Sequence, residues 1–279
     1  MKHDPRFKPT EWAIILGASS GFGGATSIEL AKAGMNIFGV HLDRQATMPN
    51  VQQIVKEIKH TGREAVFFNI NAADPIKQGE ILDEIAERFS ENPGHTVRVL
   101  LHSLAFGTLK QFIAKAPEEM LTKAQMEMTL DVMANSLVYW VQGMMQRNLM
   151  KRGGRIFAMT SSGGHTVMPY YGAVSAAKAA LESHIRQLAM ELGPAGICAN
   201  AIMAGVTDTP ALRKIPGSLK MLDIAKVKNP HGRLTTPEDV AKAIVLLSDD
   251  NAFWVSGNTI GVDGGEDAVN FTGQKPIHE

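Results

Sequence analysis

AIILGASSGFGG, residues 13–24, decides the fold. Ala13 to Leu16 is a short apolar run, the mark of a strand buried on both faces. It runs into Gly17-x3-Gly21-x-Gly23, after which a helical pattern begins. Glycines at that spacing let the backbone turn sharply and approach a pyrophosphate, which then sits at the N-terminus of the following helix. The turn residues Gly17, Ser19, Ser20, Gly21, Phe22 and Gly23 are therefore expected to cradle a dinucleotide. GASSG also fits Gly-x-Ser-x-Gly, the nucleophile elbow of hydrolases. That reading needs a later acid and His in matching places, and it explains neither Gly23 nor the position in the first strand. A glycine-rich turn with no ligand is the third reading.

Working outward, short apolar runs recur: NIFGVH (36–41), EAVFFNI (64–70), VRVLLHS (97–103), GRIFAMTS (154–161), GICANAIM (196–203) and NTIGVD (258–263). Each is bounded by Gly, Asn or polar residues. Amphipathic stretches lie between them. SIELAKAG (27–34) ends at Gly34, a C-cap residue. AALESHIRQLAMELG (179–193) repeats Leu181, Ile185, Leu188 and Leu192 at helical spacing, and PEDVAKAIVLLS (237–248) opens with Pro and acids. The alternation predicts an α/β fold: a Rossmann-type, doubly wound parallel sheet of about seven strands with helices on both faces. No linker or repeat divides the chain, so residues 1–279 are expected to form a single domain.

The 279 residues carry 28 Lys+Arg and 28 Asp+Glu, 44% hydrophobic and 20% charged. A net charge of zero argues against a nucleic-acid binder. One cysteine, Cys198, excludes a disulfide framework and a Cys-based zinc cluster, and it lies in an apolar strand. The nine His are scattered without ligand spacing, so no metal is expected. No apolar run reaches the ~20 residues of a membrane span, and MKHDPRFKPTEW is no signal peptide. The expectation is a cytoplasmic protein with neither nucleic acid nor membrane as partner.

The second strand ends Val40-His41-Leu42-Asp43-Arg44. An acid there binds the adenosine ribose of NAD; a base favours the 2′-phosphate of NADP. His41 stands in the acid's place and Arg44 offers a planar guanidinium, which favours NADPH, with NADH as the alternative. A pairing of Asp43 with Arg44 alone is the plain reading. Asn69 and Ile70, after the third strand, are placed to meet the adenine.

The signal sharpens at TSSGGHTVMPYYGAVSAAK, residues 160–178: Ser161 after a strand, then Tyr and Lys on one helix. This resembles the short-chain dehydrogenase/reductase family, as does HGRLTTPEDVAKAIVLLSDD…VSGNTIGVDGG (231–265), and residues from roughly 11 to 265 can be laid on it. Ordinary members carry Tyr-x3-Lys, but the residue four before Lys178 is Val174. Tyr171 gives Tyr-x6-Lys instead, the spacing of the enoyl-acyl carrier protein reductases of that superfamily. Leu101-His102-Ser103-Leu104-Ala105 stands where most members have Asn-Asn-Ala-Gly, Asp131-Val132 where the common Asn is expected, and Ala204-Gly205 where Pro-Gly is usual. The best-known enoyl reductases place another Tyr ten residues before the active one; Ser161 is there, as in a divergent NADPH-using subgroup.

The resemblance implies reduction of the trans-2,3 double bond of an enoyl thioester, on acyl carrier protein, in fatty acid biosynthesis, by a homotetramer. It implies Tyr171, Lys178 and Ser161 as catalytic residues. Ser103, Leu104, Ala105, Lys178, Gly205, Thr207 and Thr209 complete the cofactor set, and a segment at about 207–233 covers the substrate. Tyr170 is the rival donor, expected to point away. Plain roles stand beside these: a local cap for Ser161, a satisfied strand-end histidine for His102. Three other functions are weighed: dienoyl-CoA reduction, suggested by Asp263-Gly-Gly-Glu-Asp267; a ketone or hydroxysteroid oxidoreductase; and a catalytically idle nucleotide-binding protein. Within 211–233, Arg213, Lys214, Lys220, Lys226, Lys228 and Arg233 face one acid, Asp223, an excess suited to an acidic carrier. Leu212, Ile215, Leu219, Met221, Leu222 and Ile224 are expected to face the acyl chain.

Overall fold

A computed structural model describes residues 6–270. Each apolar run becomes a strand: β1 Glu11–Leu16, β2 Asn36–His41, β3 Ala65–Asn69, β4 Thr96–His102, β5 Met150–Thr160, β6 Cys198–Ala204 and β7 Thr259–Val262. They form one sheet in the order β3-β2-β1-β4-β5-β6-β7, and every neighbouring pair is parallel. The eight α-helices are α1 Gly21–Lys32, α2 Met48–His60, α3 Pro75–Glu91, α4 Lys123–Leu130, α5 Ser136–Gln146, α6 Gly172–Leu192, α7 Ser218–Lys228 and α8 Pro237–Leu247.

Both faces of the sheet are covered over its inner strands, which is why those five are apolar without alternation, while the edge strands β3 and β7 are only half-buried. Trp12, Ile14 and Leu16 of β1 point into a core with Ile81 of α3, Leu137 and Trp140 of α5, and Leu181 and Ile185 of α6. Ala13 and Ile15 point the other way, into a core with Leu30 of α1, Ile54 and Ile58 of α2, and Val240 and Ile244 of α8. The chain winds outward from β1 to β3, returns to β4 on the other side of β1, and winds outward again. In such sheets the ligand crevice lies beyond the carboxyl ends of the strands at that reversal. The register aligns those ends: Leu16 faces His102, His41 faces Asn69, and His102 faces Ala158.

Between α4 and α5 the helix widens into a π-turn, Asp131–Asn135. Such turns concentrate at functional sites. Among the described residues, no helix is long and apolar enough to cross a membrane.

Candidate active site

The glycine turn closes the carboxyl end of β1. Gly17 has φ +89°, and a Cβ there would run into the Ser103 carbonyl at the end of β4. A Cβ on Gly23 would strike the Gly17 carbonyl. The spacing read in the sequence is thus a packing requirement. Ser20 is the N-cap of α1 but makes no side-chain cap hydrogen bond, so the first amides of the helix are left for another acceptor. Thr209 lies across the turn, its Cγ2 3.5 Å from where a Gly21 Cβ would be. An open helix N-terminus and a cradle that side chains would fill fit a pyrophosphate.

At the end of β2 the structure differs from the sequence expectation. His41 is 4% exposed, and its Nδ1 lies 3.0 Å from Asp43 Oδ2. Asp43 also hydrogen-bonds Thr47 and Ser19 of the glycine turn, and its pKa is lowered: those bonds and His41 outweigh burial. The carboxylate missing at 41 is therefore supplied two residues later. Asp43 does not pair with Arg44, which is exposed. Asn69 is occupied in fixing this loop: its Oδ1 accepts from the Asp43 amide at 2.9 Å and its Nδ2 donates to the Asp43 carbonyl at 2.9 Å.

Ser161 follows β5, and Tyr171 is the N-cap of α6. Tyr171, Val174, Lys178, Leu181 and Ile185 share one buried stripe of that helix, as a three-to-four residue spacing requires. Tyr171 is 8% exposed. Burial raises its pKa, and a hydrogen bond with the Ser161 hydroxyl works against that. Ser161 Oγ also accepts the Gly163 amide at 3.1 Å, so the capping role read for it is present as well. Lys178 Nζ donates to the Met159 carbonyl at 2.7 Å. Burial pulls its pKa down to about 8, with Glu182, one turn on, acting in the opposite direction. Thr160 Oγ1 holds Glu182 Oε1 at 2.6 Å. Val174 belongs to the wall: Gly107 approaches so closely that a Cβ there would lie 2.8 Å from Val174 Cγ2, Met133 Sδ and Thr129 Cγ2.

His102 is fully buried. Its Nε2 lies 2.9 Å from Ser136 Oγ, which donates to the Val132 carbonyl of the π-turn at 2.9 Å. The serine proton is committed, so Nε2 carries the histidine proton and Nδ1 is bare; Nδ1 has no partner among the described residues. Burial and the nearby Lys178 push the His102 pKa down to about 3. The satisfied strand-end histidine of the sequence reading is thus half satisfied, and it fastens the π-turn to β4.

Three loops meet at the chain's last described segment. Glu266 Oε1 accepts the Val206 amide at 3.3 Å, and Asn229 Nδ2 donates to the Asp263 carbonyl at 2.8 Å. Asp267 Oδ2 lies 3.1 Å from His165 Nε2 in the loop before Tyr171. Glu266 is 8% exposed, and burial raises its pKa. Glu182 escaped the sequence reading although an acid four residues after a helical Lys was a signal; Glu266 lay in the Asp263–Asp267 stretch already singled out, but its contact with the Val206 amide had no signal along the chain.

In 211–233 the basic excess is smaller than the sequence suggested. Arg213 is bidentate to Asp208, at 2.7 and 2.9 Å, and Arg233 to Asp239, at 2.6 and 3.1 Å, both acids outside the segment. Leu219 and Ile224 are exposed, while Met221 and Leu222 are half-buried, so the apolar set is split between two faces of α7.

Comparison with known proteins identifies the family. The family profile described as "Enoyl-(Acyl carrier protein) reductase" matches residues 17–266. The chain belongs to the short-chain dehydrogenase/reductase family. This oxidoreductase is 30% identical to the Arabidopsis thaliana "NADPH-dependent aldehyde reductase-like protein, chloroplastic", over 91% of the chain and 93% of the relative. It is 28% identical to the Streptomyces collinus "1-cyclohexenylcarbonyl-CoA reductase", over 91% and 85%. Its fold matches the crystal structure of an enoyl-[acyl-carrier-protein] reductase (NADH) from Aquifex aeolicus VF5, with TM-score 0.80, 23% identity, and 94% and 98% of the two chains covered.

Proposed function

We propose that this short-chain reductase saturates the trans-2,3 double bond of an enoyl thioester, carried on acyl carrier protein, with NADPH. The observation that carries the reading is the buried stripe of α6, with a phenol at Tyr171, an alkyl wall at Val174 and an ammonium at Lys178. Carbonyl reduction at the usual spacing needs an acid where Val174 stands, and Val174 has no proton to give. Moving the phenol three residues back takes it ~4.5 Å further along the helix from Lys178 and leaves apolar room between them. Phe112, half-exposed and packed over Gly172, extends that apolar surface. The family profile's description and the Streptomyces collinus relative, named for a reductase of an unsaturated thioester, support the same class.

A bound nicotinamide supplies the hydride for the β-carbon. The turn residues Gly17 to Gly23 would hold its pyrophosphate with Thr209, Arg44 its 2′-phosphate, and Lys178 its ribose. As the double bond is reduced, negative charge collects on the thioester oxygen. Tyr171, kept protonated by burial, donates a hydrogen bond to it, and Lys178 adds positive potential. The enolate then takes a proton from water at the α-carbon, which completes the saturated thioester. Ser161 holds the phenol in place. Lys214, Lys220 and Lys226 would dock the acidic carrier. The same reading makes the protein cytoplasmic and a homotetramer.

Dienoyl-CoA reduction is the second reading, from the resemblance of Asp263-Gly-Gly-Glu-Asp267 to some of those enzymes; Glu266 of that stretch is buried beside the Val206 amide. NADPH oxidation measured side by side with crotonyl, dienoyl and ketone substrates decides. Turnover confined to the mono-unsaturated thioester is the expected result. A preference for the diene or the ketone overturns it, and NADPH binding without turnover on any of them marks an idle protein.

A further inference from the structure

Tyr171 enters its helix through a turn that its own sequence does not favour. Met168, Pro169, Tyr170 and Tyr171 form a β-turn in which the Tyr171 amide donates to the Met168 carbonyl at 3.3 Å. Pro169 suits the second position of such a turn. Tyr170 occupies the third with φ +66°, the left-handed value that a type II turn requires and that ordinarily selects Gly or Asn. Among the described residues, the other non-glycine with positive φ is Asn148, a residue that tolerates it.

Packing of the Tyr170 ring does not explain the conformation, because Tyr170 is 40% exposed. The next residue carries a second local cost. Tyr171 fills the N-cap of α6 and its side chain caps nothing, at a position where Ser, Thr, Asp or Asn stabilises a helix most. The Tyr171 ring, in contrast, is tightly fitted. A Cβ on Gly163 would lie 2.5 Å from its Cε1. A Cβ on Gly172 would lie 2.5 Å from Phe112 Cζ, so the residue after the phenol is pinned as well. Helix α6 starts at once, with the Ser175 amide donating to the Tyr171 carbonyl at 2.8 Å. Two adjacent unfavourable choices, with the benefit falling on the buried ring, are the pattern of strain held at a working site.

We propose that the Met168–Tyr171 turn is the positioning device of this active site. Tyr170 acts through its left-handed backbone, and neither its ring nor its hydroxyl is needed, to aim the Tyr171 phenol over Gly163 and beside Ser161. The inference rests on Tyr171 as the catalytic hydroxyl, and its test separates the two.

Four substitutions divide backbone from side chain. Tyr170→Gly and Tyr170→Asn delete the ring but accept a positive φ; the β-branched Tyr170→Thr and Tyr170→Val resist it more than Tyr itself does. Gly and Asn are expected to keep most of kcat on the enoyl thioester. Val is expected to lose on the order of tenfold, the scale of a left-handed penalty, with KM moving less than kcat. Thr, likewise β-branched, serves if Val fails to fold. A second readout needs no turnover. The chain has three tyrosines, Tyr139, Tyr170 and Tyr171, so each variant keeps one exposed and one buried phenol. Spectrophotometric titration of the Gly variant is expected to show the buried Tyr171 phenol ionising above the ordinary tyrosine range. In the Val or Thr variant the Tyr171 step is expected to move down, as the phenol loses part of its burial. Equal losses for Gly, Asn and Val would overturn the proposal in favour of the ring, and a resistant variant matching wild type in both readouts would overturn it outright. If Tyr171→Phe turns over normally while the titration still shifts along the series, the turn positions the phenol but the catalytic assignment of Tyr171 falls.

Discussion

The ammonium of Lys178 is anchored to the carbonyl of Met159, 2.7 Å away at the end of β5, inside a stripe of apolar side chains. That anchoring fixes where the charge sits, and burial makes it titratable at an accessible pH. The charged form is the one that adds positive potential to the site. With the pKa drawn down to about 8, kcat/KM for NADPH, which reports the cofactor-free protein, is expected to fall as pH rises through about 8. Glu182 favours the charged form, so Glu182→Gln moves that limb to lower pH. A flat profile to pH well above 8, or an unmoved limb in the variant, removes Lys178 from this role.

Tyr171→Phe keeps the ring against Gly163 and removes only the hydroxyl. Turnover is expected to drop ~10²-fold or more, the scale of one oxyanion donor, with NADPH binding unchanged by fluorescence titration. Adding Val174→Tyr does not restore it. Val174 is buried with Gly107 against it, and the larger ring overpacks the position by about 1–3 kcal/mol. Near-normal rates for Tyr171→Phe contradict the catalytic assignment.

His102 is neutral in the fold and ordinary in the unfolded chain. Between the unfolded value near 6.5 and the folded value of about 3, the unfolded state binds the extra proton, so stability falls as pH falls through that window. His102→Gln cannot take up that proton. Thermal unfolding of wild type is expected to lose more on acidification from pH 6.5 to 4 than unfolding of the variant. The difference between the two cancels the carboxylates, such as Asp239 and Asp250, whose lowered pKa values act in the same sense. Parallel curves exclude His102 as the source.

Arg44 is exposed while Asp43 is engaged with His41 and Ser19. Arg44→Glu is expected to weaken NADPH more than NADH, and Asp43→Asn to shift preference toward NADPH by removing a carboxylate near the same phosphate. Dissociation constants for both cofactors check this. Equal changes for the two make Arg44 structural.

Lys220 and Lys226 lie on the exposed face of α7 and, unlike Arg213 and Arg233, form no ion pair among the described residues. Changing both to Glu is expected to lower kcat/KM for carrier-linked substrate in a salt-dependent way, and to leave a short uncharged thioester nearly untouched. Equal losses on both substrates point to damage of the covering segment instead.

What the sequence by itself determined is what local spacing encodes. Seven apolar runs became seven strands, the five inner ones buried on both faces with no alternation to misread, and Gly17-x3-Gly21-x-Gly23 became a tight turn because Gly17 and Gly23 answer close backbone approaches and Gly21 a positive φ. Tyr171 and Lys178 share a face because seven residues make nearly two helical turns. Tertiary structure alone decided which charges are free. Arg213 and Arg233 found acids outside their segment, Asp43 reached back to the glycine turn, and Glu266 was brought under the Val206 amide across 60 residues of chain. It also decided the backbone of Tyr170, where Pro-Tyr gives no sign of a positive φ. Pairings between distant segments, and a conformation held against local preference by its surroundings, have no period or motif along the chain; they exist once the sheet has set the distances.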